Sequence, residues 1–573
     1  MTLIRKLKGR AVVLGRKHLS PTVKRRLKRV YYAVRKRQMR WSARELPSAK
    51  AAYGVGNYDE AKAGVDKVLT SNPHDPAALE LASRIAIQQG RFTDAAVHAT
   101  LRSEQSKDHR HWAHARKIVG RVRETDARWR PRLVTAAPDP GAEPTTEPVP
   151  DSATGGSTAT SGSTGRVLYL AKESRPYLHN GFCTRSHETL QSLAITGRDV
   201  LGVTLPGFPG ILGVTDPEPE SLVEKVRYRH LLPNAGNVTT ALAHDEYLEL
   251  SARLLSAEVR RERPALLHVS SGHRGFETAL VGSAVAERFG IPWLYEVRSF
   301  FEATWTGDAR YAEAGEYYER RFATETRMMQ DADMVVTLSS PMRDEIVERG
   351  VERSKVRVIG NAVDVERFQP RERDPELRKR LGIGDGFALG YVSNLSHPRE
   401  GQEVLIRAVA KLRKQGRDVY GLLVGEGKRT EELQQLARRL GVAGKIVFTG
   451  GVPFDEVADY YAQIDVFVVP RVNDRAARMV SPMKPFEAMA MRVPLLVADL
   501  PALAEIVADE RGATFTTGDP EALATVAAEL QDAPERRDAM VRTAADWVAT
   551  ERTWAQVAAS FSDVYTELGA NGC

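Results

Sequence analysis

The sequence predicts an α/β protein in which two doubly wound, Rossmann-like domains face a cleft, preceded by an α-helical repeat segment and a basic arm. Three observations carry that expectation. Two series of short apolar runs alternate with helical stretches, a motif recurs at an offset of 34 residues, and the basic charge gathers at one end. The chain has 573 residues, 42% hydrophobic and 27% charged, which is ordinary globular composition with length enough for several cores.

Residues 1–44 hold 16 Lys and Arg and no Asp or Glu, so the remainder carries more acidic than basic residues despite a net charge of +8. Within this arm Ser20-Pro21 reads as a helix start, and Val23, Leu27, Val30 and Val34 recur at helical spacing among Lys24, Arg25, Arg26, Lys28 and Arg29. An amphipathic basic helix suits an anionic membrane surface, nucleic acid, or a partner that takes its apolar stripe. No RNA-binding signature with stacking aromatics accompanies it, which argues against nucleic acid. No stretch approaches the roughly 18 apolar residues that span a bilayer, and the start has no secretory core. Only Cys183 and Cys573 are present, far apart, so neither a disulfide framework nor a zinc site is encoded. The expected place is the cytoplasm, peripheral on the inner face of the cell membrane.

Residues 45–131 contain Gly56–Ala61 (GNYDEA) and its counterpart Gly90–Ala95 (GRFTDA), with Pro73-His74-Asp75-Pro76 between. That period and the small-aromatic-small pattern resemble tetratricopeptide repeats, in which small residues let paired helices approach. Two units suit a packing role, and a protein partner is the other reading. Residues 132–165, rich in Thr, Pro, Gly and Ser with no hydrophobe beyond Ala, Val and Leu133, are expected to be a disordered linker.

The first apolar series comprises residues 166–171, 265–270, 292–297, 333–338 and 355–360, and the second 387–392, 420–425, 445–450, 466–470 and 494–499. Strands without polar alternation, separated by helices, imply parallel sheets covered on both faces. The expected domains are 166–370 and 371–573, with the last helix returning to the first of them. In such folds ligands bind beyond the carboxyl ends of the strands.

Residues 481–507 follow the buried run 464–471 and place Glu487 among Phe486, Ala488, Met489 and Ala490. Arg471 stands at the end of that strand, Ser481-Pro482 reads as the start of the next helix, and Lys484 lies in its first turn. A helix start with an added cation suits a diphosphate. Glu487 can accept two hydrogen bonds, which matches the vicinal hydroxyls of a ribose; a structural pairing with a nearby arginine is the alternative.

Several ordered segments resemble the retaining glycosyltransferases of the GT-B fold related to glycogen synthase, the group 1 transferases: residues 332–368, which include the expected interdomain hinge Asn361-Ala362-Val363-Asp364, then 390–401, 423–433 and 485–507. The resemblance spans residues 166–570. It implies transfer of a sugar from a nucleotide-diphosphate sugar to an acceptor hydroxyl with retention at the anomeric carbon, the acceptor being a lipid-linked or polymeric glycan. No metal and no other cofactor is implied. Carried onto this chain, it places the donor against Glu487, Gly181, Asn394, Gly425, Glu426, Ser481, Pro482 and Met483, with Lys484, Arg471 and Arg298 as the catalytic cations and Arg185, Glu296 and Glu302 on the acceptor side. The chain also departs from the family pattern. The first of the family's two donor glutamates falls on Met479, its usual arginine and lysine fall on Asn394 and Glu400, and Arg298 stands where histidine is more common. Arg471 and Lys484, with Arg399 or Arg429, are the cations that would replace those lost.

Asp331-Ala332-Asp333 spells a metal-binding pattern of another transferase class, but it precedes a buried strand and is set aside, as is the glycine turn 382–387. Two other functions share the fold: a sugar-nucleotide-binding scaffold without catalysis, and a sugar-nucleotide epimerase.

Overall fold

The computed structural model describes residues 45–133 and 165–570, so the basic arm and nearly all of the expected linker lie outside the described residues. The described chain divides into two compact units.

The helical unit contains Glu45–Gly54, Tyr58–Ser71, Pro76–Gln88, Phe92–Glu104 and His109–Glu124. The recurrence at 34 residues is visible in the backbone. Gly56 and Gly90 take φ of +81° and +73° in the turns before the second and fourth helices, a conformation that glycine adopts without cost. A Cβ on Gly64 would lie 3.0 Å from that of Ala49, so the first helix pair closes on small residues. The boundary expected at residue 131 is incomplete, because residues 242–246 and 302–324 also belong to this unit. Phe92 stacks on Tyr317 with centroids 3.7 Å apart, Trp305 meets Phe92 edge-on, and Arg123 pairs with Asp245 at 3.2 Å. The apolar positions at the end of the repeat are thus covered by segments that come from much later in the chain.

The second unit holds both sheets. The first is formed by β1 (Val167–Ala171), β2 (Val200–Thr204), β3 (Glu220–Val223), β4 (Val226–His230), β5 (Leu266–Ser270), β6 (Trp293–Val297), β7 (Met334–Thr337) and β8 (Val356–Val358), in the order β3-β4-β2-β1-β5-β6-β7-β8. All neighbours are parallel except the β3–β4 hairpin. The second sheet has β9 (Phe387–Val392), β10 (Val419–Val424), β11 (Ile446–Phe448), β12 (Val466–Val469), β13 (Leu495–Ala498) and β14 (Ala513–Phe515), ordered β11-β10-β9-β12-β13-β14 and wholly parallel. Central strands such as Val167–Ala171 and Val466–Val469 are buried along their whole length, as continuous apolar runs require.

The chain crosses between the sheets twice. Residues 359–363 leave the first sheet, and Val363 pairs with Thr553 where the chain returns. The helix Trp554–Glu567 then packs in the core of the first sheet through Trp554, Phe561 and Tyr565, and the Tyr565 hydroxyl lies 2.7 Å from His268 Nδ1. Asp331 pairs with Arg130 at 2.9 Å, and Asp333 accepts the Trp293 amide at 2.9 Å, which accounts for both carboxylates. Among the described residues no three His, Cys, Asp or Glu side chains converge as a metal site would require, and no helix is long and apolar enough to cross a membrane.

Candidate active site

A cavity of about 350 Å³ lies where the carboxyl ends of both sheets meet. From the first sheet it receives Asn180, Gly181, Phe182 and Arg185 after β1, Arg298 after β6, Leu338 after β7 and Asn361 after β8. From the second come Tyr391 and the 394–400 loop after β9, Arg471 after β12, and residues 480–484. Five cationic side chains, Arg185, Arg298, Arg399, Arg471 and Lys484, line it beside a single lining carboxylate, Glu400.

Beneath the cavity lies a closed network of charges. Glu296, wholly buried at the end of β6, accepts from Arg185 Nε at 2.7 Å, Arg298 Nη2 at 2.5 Å and the Tyr169 hydroxyl at 3.1 Å. Burial acts against its charge, but Arg298 and Arg185 hold its carboxyl well below the usual range. Arg298 also donates to the Phe182 carbonyl, Ser186 Oγ and Tyr169, so its five N–H groups all meet protein acceptors. Arg185 bonds the carbonyls of Ile359 and Gly360 and Asn361 Oδ1, which anchors the helix Gly181–Ile195 to the crossover segment.

These contacts bear on three of the expected site residues. Glu296 does not reach the cavity, because both its oxygens are occupied by the network. Arg298 is placed at the wall, and its five N–H groups are all taken by protein acceptors. Arg185 lines the cavity and also ties two elements together. Glu302, the third acceptor-side expectation, begins a short turn in the helical unit and is not a lining residue.

On the other wall, the helix expected to start at Ser481-Pro482 begins at Lys484, with Met483 as its cap and Pro485 in its first turn. The segment before it is held extended by its carbonyls: that of Val480 accepts from Arg471 Nη1 at 3.1 Å, and that of Ser481 from Asn361 Nδ2 at 2.7 Å. Proline lacks an N–H, so this short helix offers fewer free amides than the sequence promised. Lys484 is half-buried and, among the described residues, no carboxylate lies within ion-pair distance of it. Asn394 also lines the cavity, its Oδ1 accepting from the Ser396 amide at 2.7 Å. Gly181 opens its helix behind the cap Asn180, with Met483 as the nearest side chain across the cavity.

Glu487 lies one helical turn beyond Lys484, and its Oε2 accepts from the buried Tyr461 hydroxyl at 2.6 Å, so the expected structural partner is a tyrosine and not an arginine. Burial pushes its carboxyl upward, with Lys484 opposing. It is not among the cavity-lining residues, and neither are Gly425 and Glu426. The φ of +131° at Gly425 serves another purpose: a Cβ there would lie 2.1 Å from the Ser393 carbonyl oxygen, so the glycine admits the neighbouring loop. Arg429 pairs with Glu403 at 3.2 Å and Glu432 at 3.4 Å and is not among the cavity-lining residues.

Seven lining residues, Asn180, Phe182, Leu338, Tyr391, His397, Val469 and Val480, were not singled out from sequence. Only Asn180 left a signal, as a residue able to cap a helix that opens with glycine.

Comparison with known proteins agrees with this architecture. Residues 180–362 match the family described as glycosyl transferase 4-like domain, and residues 386–532 match glycosyl transferases group 1. The chain is 32% identical over 235 residues to GDP-mannose-dependent alpha-(1-6)-phosphatidylinositol monomannoside mannosyltransferase of Mycolicibacterium smegmatis, covering 40% of this chain and 60% of that protein. It is 30% identical over 299 residues to D-inositol 3-phosphate glycosyltransferase of Streptomyces avermitilis, covering 50% of this chain and 62% of the relative. The match therefore spans less than two thirds of either relative's length. Among solved structures, sucrose-phosphate synthase from Thermosynechococcus elongatus is similar in fold, with a TM-score of 0.58 at 19% identity over 71% of this chain and 99% of that one.

Proposed function

We propose that this chain, which matches a glycosyl transferase 4-like domain over residues 180–362 and glycosyl transferases group 1 over residues 386–532, is a GT-B enzyme that moves a sugar from a nucleotide-diphosphate sugar to an acceptor hydroxyl with retention of anomeric configuration and without a metal ion. The observation that carries this reading is the cation-lined cavity at the carboxyl ends of both sheets, with five positive side chains against one lining carboxylate. In the reaction the bond from the anomeric carbon to the diphosphate breaks, the acceptor oxygen bonds that carbon on the same face, and the acceptor proton passes to a phosphate oxygen. Charge develops on the leaving diphosphate, and that is where fixed cations lower the barrier. Lys484 and Arg471 act on that diphosphate, with Arg399 beside them. Arg298 adds charge from behind the wall, and the burial of its network strengthens that field.

Glu487 holds the ribose in this reading. Tyr461 occupies one carboxylate oxygen and orients the group, and the other oxygen accepts from a hydroxyl. Glu487→Gln is expected to weaken nucleotide affinity about tenfold, the loss of one charged hydrogen bond. Calorimetry on the folded variant checks this, and unchanged affinity would remove the ribose assignment. The carboxylate must be ionised to act, so affinity also declines on acidification, from a higher pH than an ordinary glutamate would give.

The acceptor is a lipid-linked or polymeric glycan of the cell envelope. Residues 1–44 bring the enzyme to it by binding the anionic inner face of the membrane, each Lys or Arg near that surface contributing about 1 kcal/mol. The helical unit, with its 34-residue tetratricopeptide-like recurrence, offers a surface to a protein partner. Co-sedimentation with vesicles checks the membrane reading: full-length protein should bind anionic vesicles and release near 0.5 M salt, where the Debye length is about 4 Å. A version beginning at Glu45 should stay in solution, and equal sedimentation of both would end that assignment.

A further inference from the structure

The buried carboxylate at the wall of a cationic cavity calls for an explanation, since an unspent negative charge there would repel a diphosphate. Glu400 is spent. The Tyr391 hydroxyl donates to its Oε2, Arg471 Nε donates to Oε2 at 3.3 Å, and Arg471 Nη2 donates to Oε1 at 3.3 Å. Side-chain exposure is 11% for Glu400 and 12% for Arg471, so both lie mostly out of water. The backbone is fixed to match. Gly401 takes φ of +70°, a Cβ on it would lie 1.9 Å from the Pro470 carbonyl oxygen, and the Val472 amide donates to the Arg399 carbonyl at 3.0 Å. The loop carrying Glu400 is therefore pressed against the strand end that carries Arg471.

We infer that Glu400 is a positioning residue: it grips one edge of the Arg471 guanidinium, with Tyr391 holding the carboxylate and the Val480 carbonyl holding Nη1, so that Arg471 stands ready at the cavity wall for a diphosphate. The inference rests on the nucleotide-sugar reading. Glu400 occupies a place where that reading otherwise expects a cation, and it acts by fixing the cation supplied from β12. Burial opposes its charge, but Arg471 and Tyr391, with Lys484 and Arg399, bring its carboxyl down to about 2, so it stays ionised across the working range.

The test is a double-mutant cycle on the full chain, read as affinity for UDP, GDP and ADP by calorimetry. Arg471→Met is expected to lower affinity about tenfold or more, and Glu400→Gln about fivefold, in the range of a lost or misplaced charged hydrogen bond. If Glu400 acts through Arg471, adding Glu400→Gln to Arg471→Met costs no more than about twofold further. The double variant removes both charges together, so it stays readable even if a single variant folds poorly. Tyr391→Phe gives a second route: its smaller loss should likewise vanish in the Arg471→Met background. Additive losses, or tighter nucleotide binding by Glu400→Gln, overturn the positioning role while leaving the wider reading intact. Wild-type protein that binds none of UDP, GDP and ADP overturns both.

Discussion

Glu296→Gln is expected to destabilise the protein by about 3–5 kcal/mol, the range for removing one partner of a buried ion network. The substitution keeps the shape but leaves Arg185 and Arg298, at 2% and 3% exposure, without their shared countercharge. It also sets an amide N–H₂ against guanidinium donors, so at least one buried donor loses its acceptor. Urea titration at neutral pH measures the difference. The depressed carboxyl fixes the sign of its pH dependence. A group ionised more readily in the folded state adds stability above its unfolded pKa of about 4.5, and that stability fades as pH falls towards the folded value. The gap between wild type and variant should hold from neutral pH to about 4.5 and narrow only below it. A difference under about 1 kcal/mol would mean that the guanidiniums find other partners.

Lys484→Ala is expected to lower kcat about 100-fold while raising the donor KM only a few-fold. In the proposed reaction, a half-buried ammonium with no carboxylate in pairing distance among the described residues would meet the leaving diphosphate, whose charge grows as the sugar departs. Removal of one preorganised donor to developing charge costs about 10²–10³ in rate. Steady-state kinetics with a turned-over nucleotide sugar separates the two constants. A KM that rises 100-fold with kcat preserved would make Lys484 a ground-state binding residue.

The central strands were legible because a strand buried on both faces must be apolar throughout, and runs such as residues 466–470 have no other simple reading. β2 was missed because Gly202 interrupts it, where a Cβ would lie 2.5 Å from the Tyr228 ring. β3 and β4 were missed because Glu220, Glu224, Arg227 and Arg229 give that edge hairpin a polar reading. Of the site, the sequence supplied the residues at strand ends, since topology alone brings Gly181, Arg185, Arg298, Arg471 and Lys484 together. It could not supply pairing. That Arg298 exhausts its donors on Glu296 and its neighbours, or that Glu400 is spent on Arg471, depends on side chains more than 70 residues apart in the second case and on three different elements in the first. The capture of residues 302–324 by the helical unit was hidden for the same reason: nothing in the local sequence around Trp305 and Tyr317 says which core they join.

The measurement that bears most directly on the central claim is calorimetric titration of the full chain with UDP, GDP and ADP beside uridine, guanosine and adenosine, in EDTA. A cavity whose cations hold a diphosphate should bind at least one nucleoside diphosphate about 100-fold more tightly than its nucleoside, since two or more charged hydrogen bonds separate the ligands. Equal affinities for diphosphate and nucleoside, or binding that appears only when a divalent metal is restored, would contradict it.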